Sequence, residues 1–213
     1  MENFLRDNKE KTFCWLDAET ENLCLSPINN KPWQIALIRV KNNKIEKEHD
    51  LYIKWPEGLN VSAQAAKITG FNPAIIEQKG KSPEEVLEIV NEEIQKADVI
   101  GTHNGLGFDV YMVAALYNKL EKKSYNIVPK ILDTFAIAKS WKLEIPYNKT
   151  EDFAAWQYRL IHRIAKGIKT SLGALGKELG VEHDYDTLHN ALSDLRLNIK
   201  VWDKLKWMVS IKE

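Results

Sequence analysis

At 213 residues, 44% hydrophobic and 28% charged, the chain is long enough to bury a sizeable core without disulfide or metal staples. A formal net charge of zero argues against wholesale wrapping of nucleic acid, but leaves room for a local basic surface beside an acidic site. Cys14 and Cys24 form no C-x-x-C pair and read as reduced thiols. The charged opening Met1–Lys11 lacks the apolar core of a signal segment, and no run approaches the ~18 apolar residues of a membrane span. The expectation is a cytoplasmic protein with no membrane partner, organised as one domain over 1–213.

The first element, Thr12 to Leu16, is an apolar run leading into Asp17-Ala18-Glu19, which predicts a central strand buried on both faces. Trp33 to Val40 reads as a second strand, and Lys41-Asn42-Asn43-Lys44 as a turn. Ile45 to Ile53 alternates apolar with charged residues. Glu46, Glu48 and Asp50 on one face predict a solvated edge strand. Short helices follow at Ser62–Thr69 and Pro73–Gln78. Ser82-Pro83-Glu84-Glu85 carries the start signal of a longer one. Asp98–Thr102 and Lys130–Asp133 are expected as strands four and five, separated by a helix from Phe108 to about Lys122. The last helix runs from about Ala191 to Trp207. Three antiparallel strands followed by alternating helices and strands imply an α/β fold. Its sheet is five-stranded and mixed, with helices on both faces.

Asp17 and Glu19, two apart at a strand end, point to one face and offer two oxygen ligands to a hard cation. With 11 Asp and 19 Glu in the chain, such a pair arises by chance about once, so it gains meaning only from company. Asp109 heads the apolar stripe Met112, Val113, Leu116 and Leu120 of its helix. A carboxylate aimed at a core needs compensation, from its own helix as an N-cap or from a cation held jointly with Asp17. His189 and Asp194 lie about 140° apart on a continuous helix. If the helix starts near Ala191, His189 instead sits on the incoming loop, and Asp194 projects from the first turn beside the stripe Leu188, Ala191, Leu192, Leu195, Ile199 and Trp202. Clustered carboxylates that hold two cations ~3.5–4 Å apart, with a histidine to take the proton of an attacking water, are the equipment of two-metal phosphoryl chemistry.

These residues resemble a known family. Phe13-Cys14-Trp15-Leu16-Asp17-Ala18-Glu19-Thr20 is similar to the first motif of the DEDD exonucleases, and Gly101-Thr102-His103-Asn104-Gly105-Leu106-Gly107-Phe108-Asp109 to the second. His189-Asn190-Ala191-Leu192-Ser193-Asp194 is similar to the third, in its histidine form. Asn190 stands where the tyrosine subtype has Tyr, so the DEDDh branch is the better match over roughly residues 12–207. The resemblance implies an RNase H-like fold, two Mg²⁺ or Mn²⁺ ions, and release of nucleoside 5′-monophosphates from single-stranded or frayed 3′ ends of DNA or RNA. The protein would act alone or with a polymerase or repair complex. It makes Asp17, Glu19, Asp109 and Asp194 the metal ligands and His189 the general base. Ala18, Thr20, Asn104 and Phe108 would line the terminal nucleotide. The alternative is a catalytically silent nucleic-acid- or polymerase-binding module on the same fold.

Two departures from the family pattern stand out. Glu21-Asn22 begins a loop of about a dozen residues before Trp33, beside the expected site. A basic and aromatic insertion is expected at about 141–168, holding Trp141, Tyr147, Phe153, Trp156 and Tyr158. From Lys139 to Thr170 there are seven basic residues against three acidic, a composition that suits a single strand. Equally, Phe153, Trp156, Leu160 and Ile164 could pack inward from an amphipathic helix while Arg159, Arg163 and Lys166 snorkel. Glu84, Glu85, Glu88, Glu92 and Glu93 read as a solvated acidic face.

Overall fold

A computed structural model describes residues 5–6, 10–26 and 28–212. Most of the opening stretch read for a signal segment lies outside them. The chain order is β1 (Phe13–Thr20), β2 (Pro32–Lys41), β3 (Lys44–Tyr52), α1 (Ala63–Thr69), α2 (Pro73–Lys79), α3 (Pro83–Lys96), β4 (Val99–Thr102), α4 (Asp109–Lys119), β5 (Ile131–Asp133), α5 (Thr134–Lys142), β6 (Tyr147–Asn148), α6 (Phe153–Ile161), α7 (Leu172–Glu178), α8 (Ala191–Leu205) and β7 (Ile211–Lys212). Five strands form one mixed sheet in the order β3-β2-β1-β4-β5. The first three are antiparallel, while β4 runs parallel to β1 and β5 parallel to β4. The expected fold class holds. The short β6–β7 pair has no counterpart in the sequence reading.

Alternation along β1 sorts the core into two layers. Phe13 and Trp15 face the cluster built by α5 to α8, whereas Cys14, Leu16 and Ala18 face α3 and α4. Both faces are therefore apolar, which is why β1 reads as a continuous hydrophobic run. Trp15 lies flat over β4 because residue 101 is glycine. A Cβ there would come within 2.5 Å of the indole.

The β2–β3 turn carries Asn42 and Asn43 at φ 53° and 59°, the left-handed pair that a two-residue hairpin requires. On β3 the expected acidic face is split. Glu48 pairs with Arg196 on α8 and Asp50 with Gln34, but Glu46 pairs with Arg39 beside a register shift at Arg39/Val40. The helix over 83–96 begins as expected, with Ser82 and Glu85 forming a capping box.

The acidic face of α3 needs a correction. Glu84, Glu85, Glu88 and Glu92 are exposed, but Glu93 is only 1% exposed. Glu93 receives Arg39 Nη1 at 2.8 Å and His49 Nε2 at 3.2 Å, with Lys47 Nζ at 3.9 Å. The last turn of α3 passes under β2 and β3, and burial there is tolerated because three basic side chains converge on it.

Over 141–168 the aromatics turn inward. Tyr147, Phe153 and Trp156 are buried in mutual ring contact, with Leu160 beside them. Ile164, expected to join them, is 91% exposed because α6 ends at Ile161. Gln157 of α6 covers the open side of β5, its Oε1 accepting from Asp133 N at 2.7 Å and its Nε2 donating to Ile131 O at 3.0 Å. A side-chain amide thus satisfies the peptide groups that an edge strand leaves unpaired.

Candidate active site

At the carboxyl end of β1 the two core layers meet. β1 brings Asp17 and Glu19, while α4 arrives from one face and α8 from the other. The carboxylate oxygens of Asp17, Glu19 and Asp194 lie within 4.8 Å of one another. Asp109 stands beside this triad, turning Oδ1 to the Ala18 N–H at 3.0 Å. It is the first residue of its helix, whose cap position is Phe108, so it does not act as its own helix's cap. Instead it joins the α4 layer to the β1 backbone between the two strand carboxylates.

Among the described residues no lysine or arginine pairs with these carboxylates, and the carboxyl groups respond together. Burial, then Asp109, Glu19 and Asp194, hold Asp17 well above the usual carboxylate range. Burial, then Asp194 and Asp109, push Glu19 up to about 8. Asp109 rises to about 7 through burial and the nearby Asp133, opposed by the Ala18 N–H. Asp194 rises to about 6 through burial, opposed by the His189 N–H and by charge on His189. Asp194 Oδ1 is buried without a hydrogen-bond partner. Crowded oxygen donors, one of them orphaned, fit a hard divalent cation well.

His189 precedes α8 with φ 69°, its side chain exposed and its N–H donating to Asp194 Oδ2 at 3.2 Å. α8 starts at Ala191, so the incoming-loop placement of His189 is met. Asn190 caps α8 through Ser193 N at 3.2 Å and also hydrogen-bonds the Tyr52 hydroxyl. Tyr52 donates in turn to Asp50 Oδ2 at 3.1 Å, and Gln34 Nε2 donates to Asp50 Oδ1 at 2.7 Å. This anchor beneath the His189 loop is absent from the sequence reading. The local signal of β3 is a polar edge, and the partner of Tyr52 lies far along the chain.

Asp133 was missed as well. Fully buried, it caps α5 by accepting from Phe135 N, and it clamps the loop before α4 by accepting from Asn104 N at 2.8 Å and Leu106 N at 3.0 Å. An Asp between a strand and a helix is a legible N-cap signal; the clamp on the Asp109 loop is not. Gly105 is required there, since a Cβ would strike Thr102 at 2.4 Å.

Ala18, Thr20 and Phe108 line one cleft of about 460 Å³ beside Glu19, together with Leu23 and the α1 residues Gln64, Ala65 and Ile68. Asn104 is exposed, at φ 64°, and is not among the cleft-lining residues. The Thr20 hydroxyl donates to Asn22 O at 2.6 Å, so it is engaged within the chain. The loop after β1 is stapled by buried Asn30, whose Nδ2 donates to Asn22 O at 2.8 Å and Cys24 O at 2.7 Å. It leaves Leu23 86% exposed at the cleft.

A mixed sheet with carboxylates converging from β1, α4 and α8 is the arrangement of an RNase H-like nuclease. A family profile described as Exonuclease (RNase T) matches residues 14–202, and the chain belongs to that family, in the DEDDh branch of 3′–5′ exonucleases. Its fold is similar to the zinc-bound form of E. coli exonuclease I in complex with single-stranded DNA. The identity is 19% and the TM-score 0.71, covering 93% of this chain and 41% of that one. E. coli exonuclease I in complex with a dA16 oligonucleotide gives 19% and 0.72, with the same coverage. The dT13 complex gives 20% and 0.72, covering 93% and 42%. The chain thus spans about two fifths of these exonuclease I chains. No curated protein matches the sequence.

Proposed function

We propose that the protein removes nucleoside 5′-monophosphates from single-stranded or frayed 3′ ends of nucleic acid by divalent-cation-dependent hydrolysis. The observation that carries this reading is the uncompensated triad of Asp17, Glu19 and Asp194, with Asp109 beside it. These four carboxylates would hold two Mg²⁺ or Mn²⁺ ions. Such ions, when bound, favour ionisation of the attacking water and stabilise charge on the phosphoryl oxygens.

The chain's own side chains do the rest. His189, on an exposed loop at the mouth of the site, takes the proton of the attacking water. Its freedom is limited by the Asp194 contact at its backbone and by the Asn190–Tyr52 anchor. Ala18, Thr20 and Phe108 form the wall for the terminal nucleotide, and Leu23 gives that wall an apolar lip. Asn104 stays in the proposal as a contact outside the cleft, at its exposed positive-φ turn.

Nucleic acid as the partner is supported by the complexes of exonuclease I with oligonucleotides, which share this fold. We place the protein in the cytoplasm, where its two free thiols would stay reduced; association with a polymerase or repair complex is a further part of the proposal. Among the described residues, no helix is long and apolar enough to cross a membrane.

The test uses matched 3′-labelled DNA and RNA oligonucleotides with Mg²⁺, Mn²⁺ or chelator. Metal-dependent release of labelled mononucleotides is expected, with none from Asp17→Asn. Activity in that variant equal to the parent's would refute the site. Binding without degradation under every metal condition would favour the silent module.

A further inference from the structure

The link between α6 and α7, His162-Arg163-Ile164-Ala165-Lys166-Gly167-Ile168-Lys169, concentrates charge differently from the rest of this neutral protein. Other cations nearby are engaged. Lys139 Nζ donates to Ile161 O at 2.8 Å and Arg163 O at 2.9 Å. Lys142 Nζ donates to Lys169 O at 2.6 Å and pairs with Glu178, and Arg159 pairs with Glu151. Those lysines fasten both ends of the loop by its backbone. The side chains of Arg163, Lys166 and Lys169, by contrast, are exposed and have no acidic partner within ion-pair distance among the described residues.

The loop also leads to the site. Its end, Thr170, is hydrogen-bonded through its backbone to His103, which opens the segment leading from β4 to Asp109. Three residues on, Gly173 packs so closely on Leu188 that a Cβ would come within 2.9 Å of Leu188 Cδ1, and Leu188 precedes His189. The chain that leaves the loop therefore touches the segments that carry Asp109 and His189. Three unpaired cations on a fastened loop that leads into an acidic centre answer a particular problem. A polyanionic strand must be held close to carboxylates that would otherwise repel it.

We propose that loop 162–169 is a phosphate-binding rail for the single strand on the 5′ side of the scissile bond. Arg163, Lys166 and Lys169 each meet a backbone phosphate, while the 3′ end lies in the cleft beside Glu19. The inference rests on the exonuclease reading of the site. It commits to nucleic acid as the occupant, because cations spaced along an exposed loop suit a repeating phosphate better than one isolated anion.

The test replaces all three with glutamine in the full chain (R163Q, K166Q and K169Q together). KM and kcat are then compared on a 15-nucleotide strand and on a dinucleotide too short to reach the loop, with thermal melting as the check on folding. The triple variant should raise KM on the long strand by about tenfold or more. It should also reduce the salt slope of log(1/KM) by about 2, at about 0.7 per lost contact, and leave the dinucleotide unchanged. An unaltered KM and salt slope, or equal losses on both substrates, would overturn the rail. If the triple variant melts early, K166Q alone should still lower the slope by about 0.7. If the parent protein releases no mononucleotide from either substrate, the exonuclease reading fails by itself. Fluorescence anisotropy with the same labelled strand then decides the loop, with weaker binding by the variant sustaining it and equal binding ending it.

Discussion

Two places in this protein bury carboxylates beside a histidine, and they differ in one respect. At Glu93 the charge is met from within the chain by Arg39, His49 and Lys47. At the end of β1, four carboxylates gather with no lysine or arginine among the described residues to pair with them. Their proton affinities climb together, and an oxygen of Asp194 is left without a partner. Fully compensated buried charge holds elements together, here α3 to β2 and β3. Uncompensated buried charge marks a place completed by something outside the chain.

The difference can be broken open at the two histidines. His189→Ala should lower the rate of mononucleotide release by about 10²–10⁴ while leaving the melting temperature close to the parent's. His49→Ala should do the reverse, lowering stability with the rate per folded molecule unchanged. A rate loss shared equally by both variants would erase the distinction.

Arg39→Met takes the closest cation from Glu93, which should cost about 3–5 kcal/mol in denaturant unfolding because a buried charge loses its partner. The response of the other cluster to divalent cations should not change. A loss below about 1 kcal/mol would show that the remaining basic groups compensate.

The pH dependence separates the clusters more finely. In the site, the folded carboxyls of Glu19, Asp109 and Asp194 hold protons up to about 8, 7 and 6, against ordinary values of 4.5, 3.8 and 3.8. The unfolded chain therefore loses these protons first. Metal-free stability should fall as pH rises from about 4 through about 8. A saturating divalent cation replaces the protons, so its increment in melting temperature should be larger at pH 8 than at pH 5.5. An increment that does not grow with pH would remove the electrostatic basis of the site.

The smallest effect is expected at Tyr52→Phe, which removes the hydroxyl's contacts to Asp50, Gln34 and Asn190, of which the last alone reaches the His189 loop. A fall of about 3–10-fold in kcat with little change in KM follows from one hydrogen bond of ordinary strength. That fall should vanish in a His189→Ala background, because the anchor acts only through the loop. Additive losses would make Tyr52 a structural residue and no more.

The amino-acid sequence by itself determined the types of the five main strands and the helices around them, the histidine-form motif and the phase of the helices, because these follow from local periodicity and capping; the two-residue strands β6 and β7 are too short to show a period. Asp109 heading Met112, Val113 and Leu116, and Ser82 with Glu85 opening α3, were legible this way. Tertiary structure alone decided which acids share a place. Asp17, Glu19 and Asp194 meet while Asp109 turns to Ala18 N, and Glu93 leaves the acidic surface to join Arg39. It also turned Phe153 and Trp156 inward and set Gln157 along β5, leaving the basic character of that segment to the loop that follows. The physical reason is that each of these contacts joins segments brought together by sheet register and helix docking. A side chain's neighbours along the chain report its face, but not what the opposing surface will offer.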